Sequence, residues 1–194
     1  MILNEVIQIP ELFAIRRLDV SENGVGITFH PELLNEQGDL REDLVCILKL
    51  DEYHAYNTRT AHNPPKVIDN LVIVKCCDGR ISVYLIELRL SNGRRPTRRL
   101  HPGEIEDKFS TAIHDFIEKR YANVFSGDFI KEIKAYLVAD PWKHSGKENA
   151  DELFAKKMKA SALDAYSSRK PFRLFGHNIL ISPIVPPEPV ITPC

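Results

Sequence analysis

Two apolar runs that meet at an Asp-Gly turn constrain this chain more than any other feature. Residues 67–74 (Val-Ile-Asp-Asn-Leu-Val-Ile-Val) and 83–89 (Val-Tyr-Leu-Ile-Glu-Leu-Arg) are rich in β-branched side chains and flank Asp78-Gly79. That pattern predicts a β-hairpin. Each run carries one carboxylate at the end away from the turn, Asp69 on the first and Glu87 on the second. A three-residue loop, Cys77-Asp78-Gly79 with Gly79 in the left-handed region, pairs residues whose numbers sum to 156 and sets Asp69 opposite Glu87. A two-residue loop gives a sum of 157 and turns Asp69 to the other side of the sheet. Only the first register builds a site.

Two carboxylates facing each other across a strand pair at about 5 Å repel by roughly 3 kcal/mol at an effective dielectric near 20. One member must be protonated, or a basic side chain or a divalent cation must lie between them. Arg89, two residues beyond Glu87, shares its face of the strand. Asp69, Glu87 and Arg89 are therefore expected to converge at one corner of a sheet.

Pro64-Pro65, then Asp69, then eighteen residues later Glu87-Leu88-Arg89 resembles the signature of the PD-(D/E)XK nuclease superfamily, the restriction-endonuclease-like fold. The resemblance covers residues about 40–140. It implies that Asp69 and Glu87, with the main-chain carbonyl of Leu88, bind magnesium (or manganese). The family usually has lysine where Arg89 stands. Arginine stays protonated, so it can stabilise transition-state charge but cannot exchange a proton. Either the site works with arginine, or a lysine elsewhere takes the role, or the protein is a non-cleaving relative. Lys108, in the first turns of the next helix, is the first choice for such a lysine; its bland alternative is a helix-surface residue.

Beyond the hairpin come Arg94, Arg95, Arg98 and Arg99, so that with Arg89 five arginines fall within eleven residues. Arginine suits bidentate phosphate contact, and these four are the candidate nucleic-acid contacts. The alternative is a solvated loop paired with Glu104, Glu106 and Asp107. The net charge of −1 argues against a generic polyanion-coating protein.

Residues 103–122 predict an amphipathic helix, with Ile105, Phe109, Ala112, Ile113, Phe116 and Ile117 at helical spacing. Residues 131–140 predict a strand, and strand-helix-strand implies a parallel pairing. Residues 41–57 are read as a helix; the resemblance implies that a helix in this place contributes a further acidic residue, for which Glu42, Asp43, Asp51 and Glu52 are candidates, unless they are simply solvated. Residues 53–63 read as a polar loop suited to phosphate or base contact, or as plain surface. A second helix is expected over 149–166, with Leu153, Phe154, Met158, Leu163 and Tyr166 inward, followed by a closing hairpin through Phe172–Phe175 and Ile179–Ile181. Residues 1–20 suggest a strand and short helix, or an arm packing on a partner.

The chain length predicts one domain, residues 1–182, followed by a proline-rich extended tail over 183–194 that crosses a partner subunit or wraps the domain. Four cysteines, at 46, 76, 77 and 194, match no zinc spacing. With neither a signal-peptide pattern nor an apolar run of membrane-spanning length, they read as reduced, buried, cytoplasmic thiols.

The expected fold is therefore α/β: a single domain, with a mixed central sheet containing a β-hairpin and flanking helices, restriction-endonuclease-like. By resemblance the function is metal-dependent hydrolysis of DNA, with Asp69, Glu87, Arg89 and Lys108 catalytic and a homodimer common among enzymes that cut duplexes at a fixed position. RNA is the lesser substrate. A non-catalytic nucleic-acid-binding or protein-interaction module on the same fold is the main alternative, and a purely structural interaction protein is the third.

Overall fold

A computed structural model describes residues 2–22, 25–57, 65–89, 101–144, 147–159, 164–166, 169–186 and 189–194. The hairpin is its centre. Strand β6 (Asn70–Lys75) and strand β7 (Ile81–Arg89) pair antiparallel, with Asn70 opposite Ile86, Leu71 opposite Leu85 and Ile73 opposite Val83. Every opposed pair sums to 156. The loop is the three-residue form: Gly79 sits at φ +84°, its N–H donates to the Cys76 carbonyl at 3.1 Å, and Cys76 N–H donates to the Arg80 carbonyl at 2.8 Å. Only glycine adopts that backbone at no steric cost.

Around the hairpin lies a six-stranded mixed sheet in the order β1-β5-β6-β7-β8-β11. Strands β1 (Arg16–Arg17) and β5 (Val45–Lys49) continue the antiparallel half. Strand β8 (Ile130–Ala139) runs parallel to β7, as the strand-helix-strand order predicts, and β11 (Ile181–Ile184) runs parallel to β8. Smaller pairs lie outside this sheet. Strands β2 (Ser21–Glu22) and β3 (Val25–Gly26) form one, and β9 (Phe172–Leu174) with β10 (His177–Ile179) form the expected closing hairpin. Strand β12 (Val190–Ile191) pairs in parallel with β4 (Thr28–Phe29).

Both faces of the sheet are buried, and alternation along the strands sorts the residues. One face, with Leu71, Ile73, Val83 and Leu85, packs on helix α4 (Pro102–Ser110) and its continuation. All six apolar positions of that helix predicted from spacing, from Ile105 to Ile117, are buried. Residues Thr111–Arg120 continue α4 in wider π-helical turns, and Tyr121 N–H closes them on the Phe116 carbonyl at 3.0 Å. The opposite face, with Val72, Val74, Tyr84, Ile86 and Leu88, is covered by Val20, Val25, Leu33 and Ile191.

Several expectations need correction. Residues 41–57 are not one helix: Val45–Lys49 is a strand inside the sheet, and helix α3 (Leu50–Asn57) begins only after it. The run Val-Cys-Ile-Leu is buried on both sides, so it has no polar face to betray its period. Residues 1–20 open with two short helices, α1 (Ile2–Gln8) and α2 (Pro10–Ala14), that bury Leu3, Val6 and Leu12 in the chain's own core. Helix α5 (Ala150–Met158) buries Phe154 but leaves Leu153 exposed. Within the segment read as a tail, Val185 and Ile191 are buried and Cys194 is joined to Cys76 by a disulfide. The expectation of four reduced, buried thiols fails accordingly. Cys46 is a buried free thiol and Cys77 an exposed one. Among the described residues, no helix is long and apolar enough to cross a membrane.

Candidate functional site

The acidic corner forms where the hairpin opens. Asp69 immediately precedes β6, and Glu87 and Arg89 end β7; all three have the odd parity of Leu71 and Leu85, whose side chains face α4. Lys108 comes down from α4 onto the same spot. Its Nζ lies 2.7 Å from Glu87 Oε1 and 3.9 Å from Asp69 Oδ1. Arg89 reaches the same Glu87 oxygen, with a guanidinium nitrogen 2.6 Å from Oε1. Asp69 is anchored differently: Leu88 N–H donates to its Oδ2 at 2.6 Å, and its main-chain carbonyl accepts from Leu50 N–H at 2.9 Å, tying the start of α3 to the corner.

Burial dominates the electrostatics. Glu87 is fully buried and Asp69 is only 6% exposed. Removing a carboxylate from water disfavours its charged form. Burial lifts the Asp69 carboxyl to about 6, against the pull of Lys108 and the Leu88 N–H. Burial and then the neighbouring Asp69 charge lift Glu87 to about 7, against Lys108 and Arg89. The two cations thus only partly offset desolvation and mutual repulsion.

Of the further acidic candidates, Asp51 belongs to this neighbourhood. It opens α3 half-buried; burial raises its pKa, while Lys49 and Lys108 oppose the rise. The others are engaged elsewhere. Glu42 pairs with Arg16 at 2.6 Å, Asp43 with Arg41 at 3.0 Å, and Glu52 with Arg17. Arg94, Arg95, Arg98 and Arg99 lie outside the described residues, as do Pro64 and the side chains of the polar loop 54–63. Trp142 is half-buried and packs on Phe154, ring centroids 5.3 Å apart.

Sequence reasoning missed one neighbour, Tyr166, which it had assigned to general packing. It is 2% exposed, and burial followed by the Glu106 and Glu87 carboxylates pushes its phenol up, against Arg169 and Arg89. Arg169 in turn pairs with Glu106 at 3.0 Å. Tyr166 lies 79 positions beyond Glu87 in the sequence, and no local pattern could have linked them.

Two carboxylates suit a hard cation, for which magnesium needs only one or two protein carboxylates beside water and substrate oxygens. Glu87 Oε2 is buried with no hydrogen-bond partner among the described residues, an orphaned acceptor of the kind a cation satisfies. Residues Asp69 and Glu87 fit such an ion. Among the described residues no group of three or more His, Cys, Asp or Glu is gathered for a metal, so a larger protein-only cage is not present there. A separate open cleft of about 1050 Å³ (Leu18, Ile27, Phe29 and Leu40, with Glu36 and Asp39 among its rim) includes none of the corner residues.

No family model matches the sequence, and neither a curated protein nor a solved structure matches the chain.

Proposed function

We propose that the chain is a metal-dependent nuclease of the PD-(D/E)XK kind, hydrolysing phosphodiester bonds of DNA at the corner formed by Asp69, Glu87 and Lys108. The observation that carries the reading is the convergence of Lys108 Nζ on both carboxylates, 2.7 Å from Glu87 and 3.9 Å from Asp69. Support also comes from the order of elements: helix α3, the β6–β7 hairpin, helix α4, then β8 parallel to β7. Helix, hairpin, helix, strand is the α/β core the resemblance implies. Asp69, Glu87 and the Leu88 carbonyl would hold magnesium or manganese. Bound there, the ion supplies Lewis-acid polarisation and lowers the pKa of water.

The chain's own groups have distinct tasks. Lys108 takes the place of the lysine that the motif lacks, and its ammonium orients the attacking water and meets charge developing on the phosphoryl group. Unlike a guanidinium, it can also exchange a proton. Arg89 holds Glu87 by one oxygen and contributes fixed positive charge. Leu88 N–H fixes the Asp69 carboxylate, so the pair is oriented before substrate arrives. Arg94, Arg95, Arg98 and Arg99 follow β7 directly in sequence, and in this reading they grip the phosphate backbone.

A second reading has its own observation. The Arg89–Glu87 ion pair at 2.6 Å, with Glu87 fully buried, is how a corner retained only for binding would be closed. A plasmid-nicking assay in magnesium or manganese separates the two. The nuclease reading expects nicking by the native protein and a loss of at least a hundredfold in Asp69→Ala, Glu87→Ala and Lys108→Ala. Salt-sensitive DNA binding with no nicking in either metal would sink the nuclease and leave the binding module.

A further inference from the structure

At the end of the hairpin opposite the acidic corner, three cysteines share one small space. Cys76 and Cys194 are joined by a disulfide, with Cα atoms 4.9 Å apart. Cys77 is a free, exposed thiol whose Sγ lies 3.8 Å from the Cys194 carbonyl oxygen. That carbonyl also accepts from Lys131 Nζ at 3.2 Å, so Cys194 is held beside Cys77 by two contacts besides its covalent bond. The fourth cysteine, Cys46, is buried apart, with burial pushing its thiol up to about 11.

We propose that Cys77 is a thiol-exchange site that moves the bridge from Cys76 to Cys77. The Cys77 thiolate, its proton released to solvent, attacks Cys194 Sγ. A Cys77–Cys194 bond forms as the Cys76–Cys194 bond breaks, and Cys76 leaves as a thiolate that takes up a proton. One bond forms, one breaks, and no electrons enter or leave, so no oxidant is needed.

The two linkages differ in what solution can reach. Cys76 is 2% exposed, and its Sγ lies 3.7 Å from the Ser82 hydroxyl, a partner ready for the released thiol. Cys194 is half-buried in either linkage, but Cys77 is exposed where Cys76 is covered, so a bridge on Cys77 presents a second sulfur to dissolved thiols. Exchange therefore widens the access of a small thiol such as glutathione to the anchor of the 181–194 segment. That segment otherwise holds through β11 on β8 and β12 on β4. Access, not strand pairing, is what exchange alters.

Peptide mapping tests this on the whole protein. Trypsin cuts after Lys75 and Arg80, releasing Cys76–Arg80, and fragment ions between Cys76 and Cys77 show which sulfur is linked to the 174–194 peptide. After equilibration in a glutathione redox buffer at pH 8, acid quenching and alkylation, at least a tenth of the linked peptide should carry the bridge on Cys77. Cys76→Ser should retain a Cys77–Cys194 bridge, and Cys77→Ser should lose its remaining bridge to glutathione at least tenfold more slowly than the native protein. A bridge found only on Cys76 in the native protein at every glutathione ratio overturns the proposal, whether or not either variant folds. So does a Cys77→Ser bridge reduced at the native rate.

Discussion

Asp69 and Glu87 make the stability of this protein depend on pH, because both carboxyls are buried side by side. Burial raises both carboxyls, to about 6 and about 7. Between their unfolded and folded values the native protein therefore binds more protons than the unfolded chain. Their contribution is most favourable at low pH and is lost as pH rises from about 4 to about 7. Asp69→Asn keeps an acceptor for Leu88 N–H while removing one charge. It should be more stable than the native protein by about 2 kcal/mol at pH 8, with the difference gone near pH 4. Calorimetry at the two pH values reads this directly; a native protein that equals or exceeds the variant at pH 8 would show that Lys108 and Arg89 fully compensate the pair. At this scale the sequence revealed a good deal. The parity of residues 69, 87 and 89 places them on one face, and Lys108 was the lysine nearest in sequence on the following helix. Tyr166 and Arg169 were invisible, because their approach depends on how distant segments pack.

The hairpin is the element on which the corner depends, because its register decides whether Asp69 meets Glu87 at all. Gly79 fixes that register at φ +84°, and a Cβ added there would meet nothing within 4 Å. Gly79→Ala should therefore cost about 1 kcal/mol through backbone conformation alone, and Gly79→Asn less, since asparagine tolerates the left-handed region. Chemical denaturation of the two variants measures the difference. Equal loss in both would mean that the loop relaxes to another turn. The hairpin and the first turns of α4 were legible because turn chemistry and apolar spacing agree on them. Strand β5 was not. Its apolar run suits a buried strand or a buried helix equally, and only its place between β1 and β6 decides. The π-helical turns of 111–120 left no trace either, since Ala112, Ile113, Phe116 and Ile117 keep an ordinary helical spacing.

For the molecule as a whole, the sheet is covered on both faces and the Cys76–Cys194 bond spans 118 positions of sequence. Closing so long a loop restrains the unfolded chain, an effect worth about 5 kcal/mol in the chain-entropy account. A Cys194→Ser variant should unfold at clearly lower denaturant concentration than the oxidised native protein, and reduction should bring the native protein down to meet it. An unchanged midpoint would mean that β11 and β12 alone hold the 181–194 segment. The pairing itself could not be read from the sequence: with four cysteines spread from 46 to 194, only the approach of Cys194 to the hairpin turn selects the partner. The bond also divides the corner topologically. Glu87, Arg89 and Lys108 belong to the covalent circle that runs from 76 to 194, whereas Asp69 stands on the strand leading into it. One carboxylate of the pair lies inside the circle and the other just before it, held in line by a hydrogen bond from Leu88 and the rungs of a single hairpin.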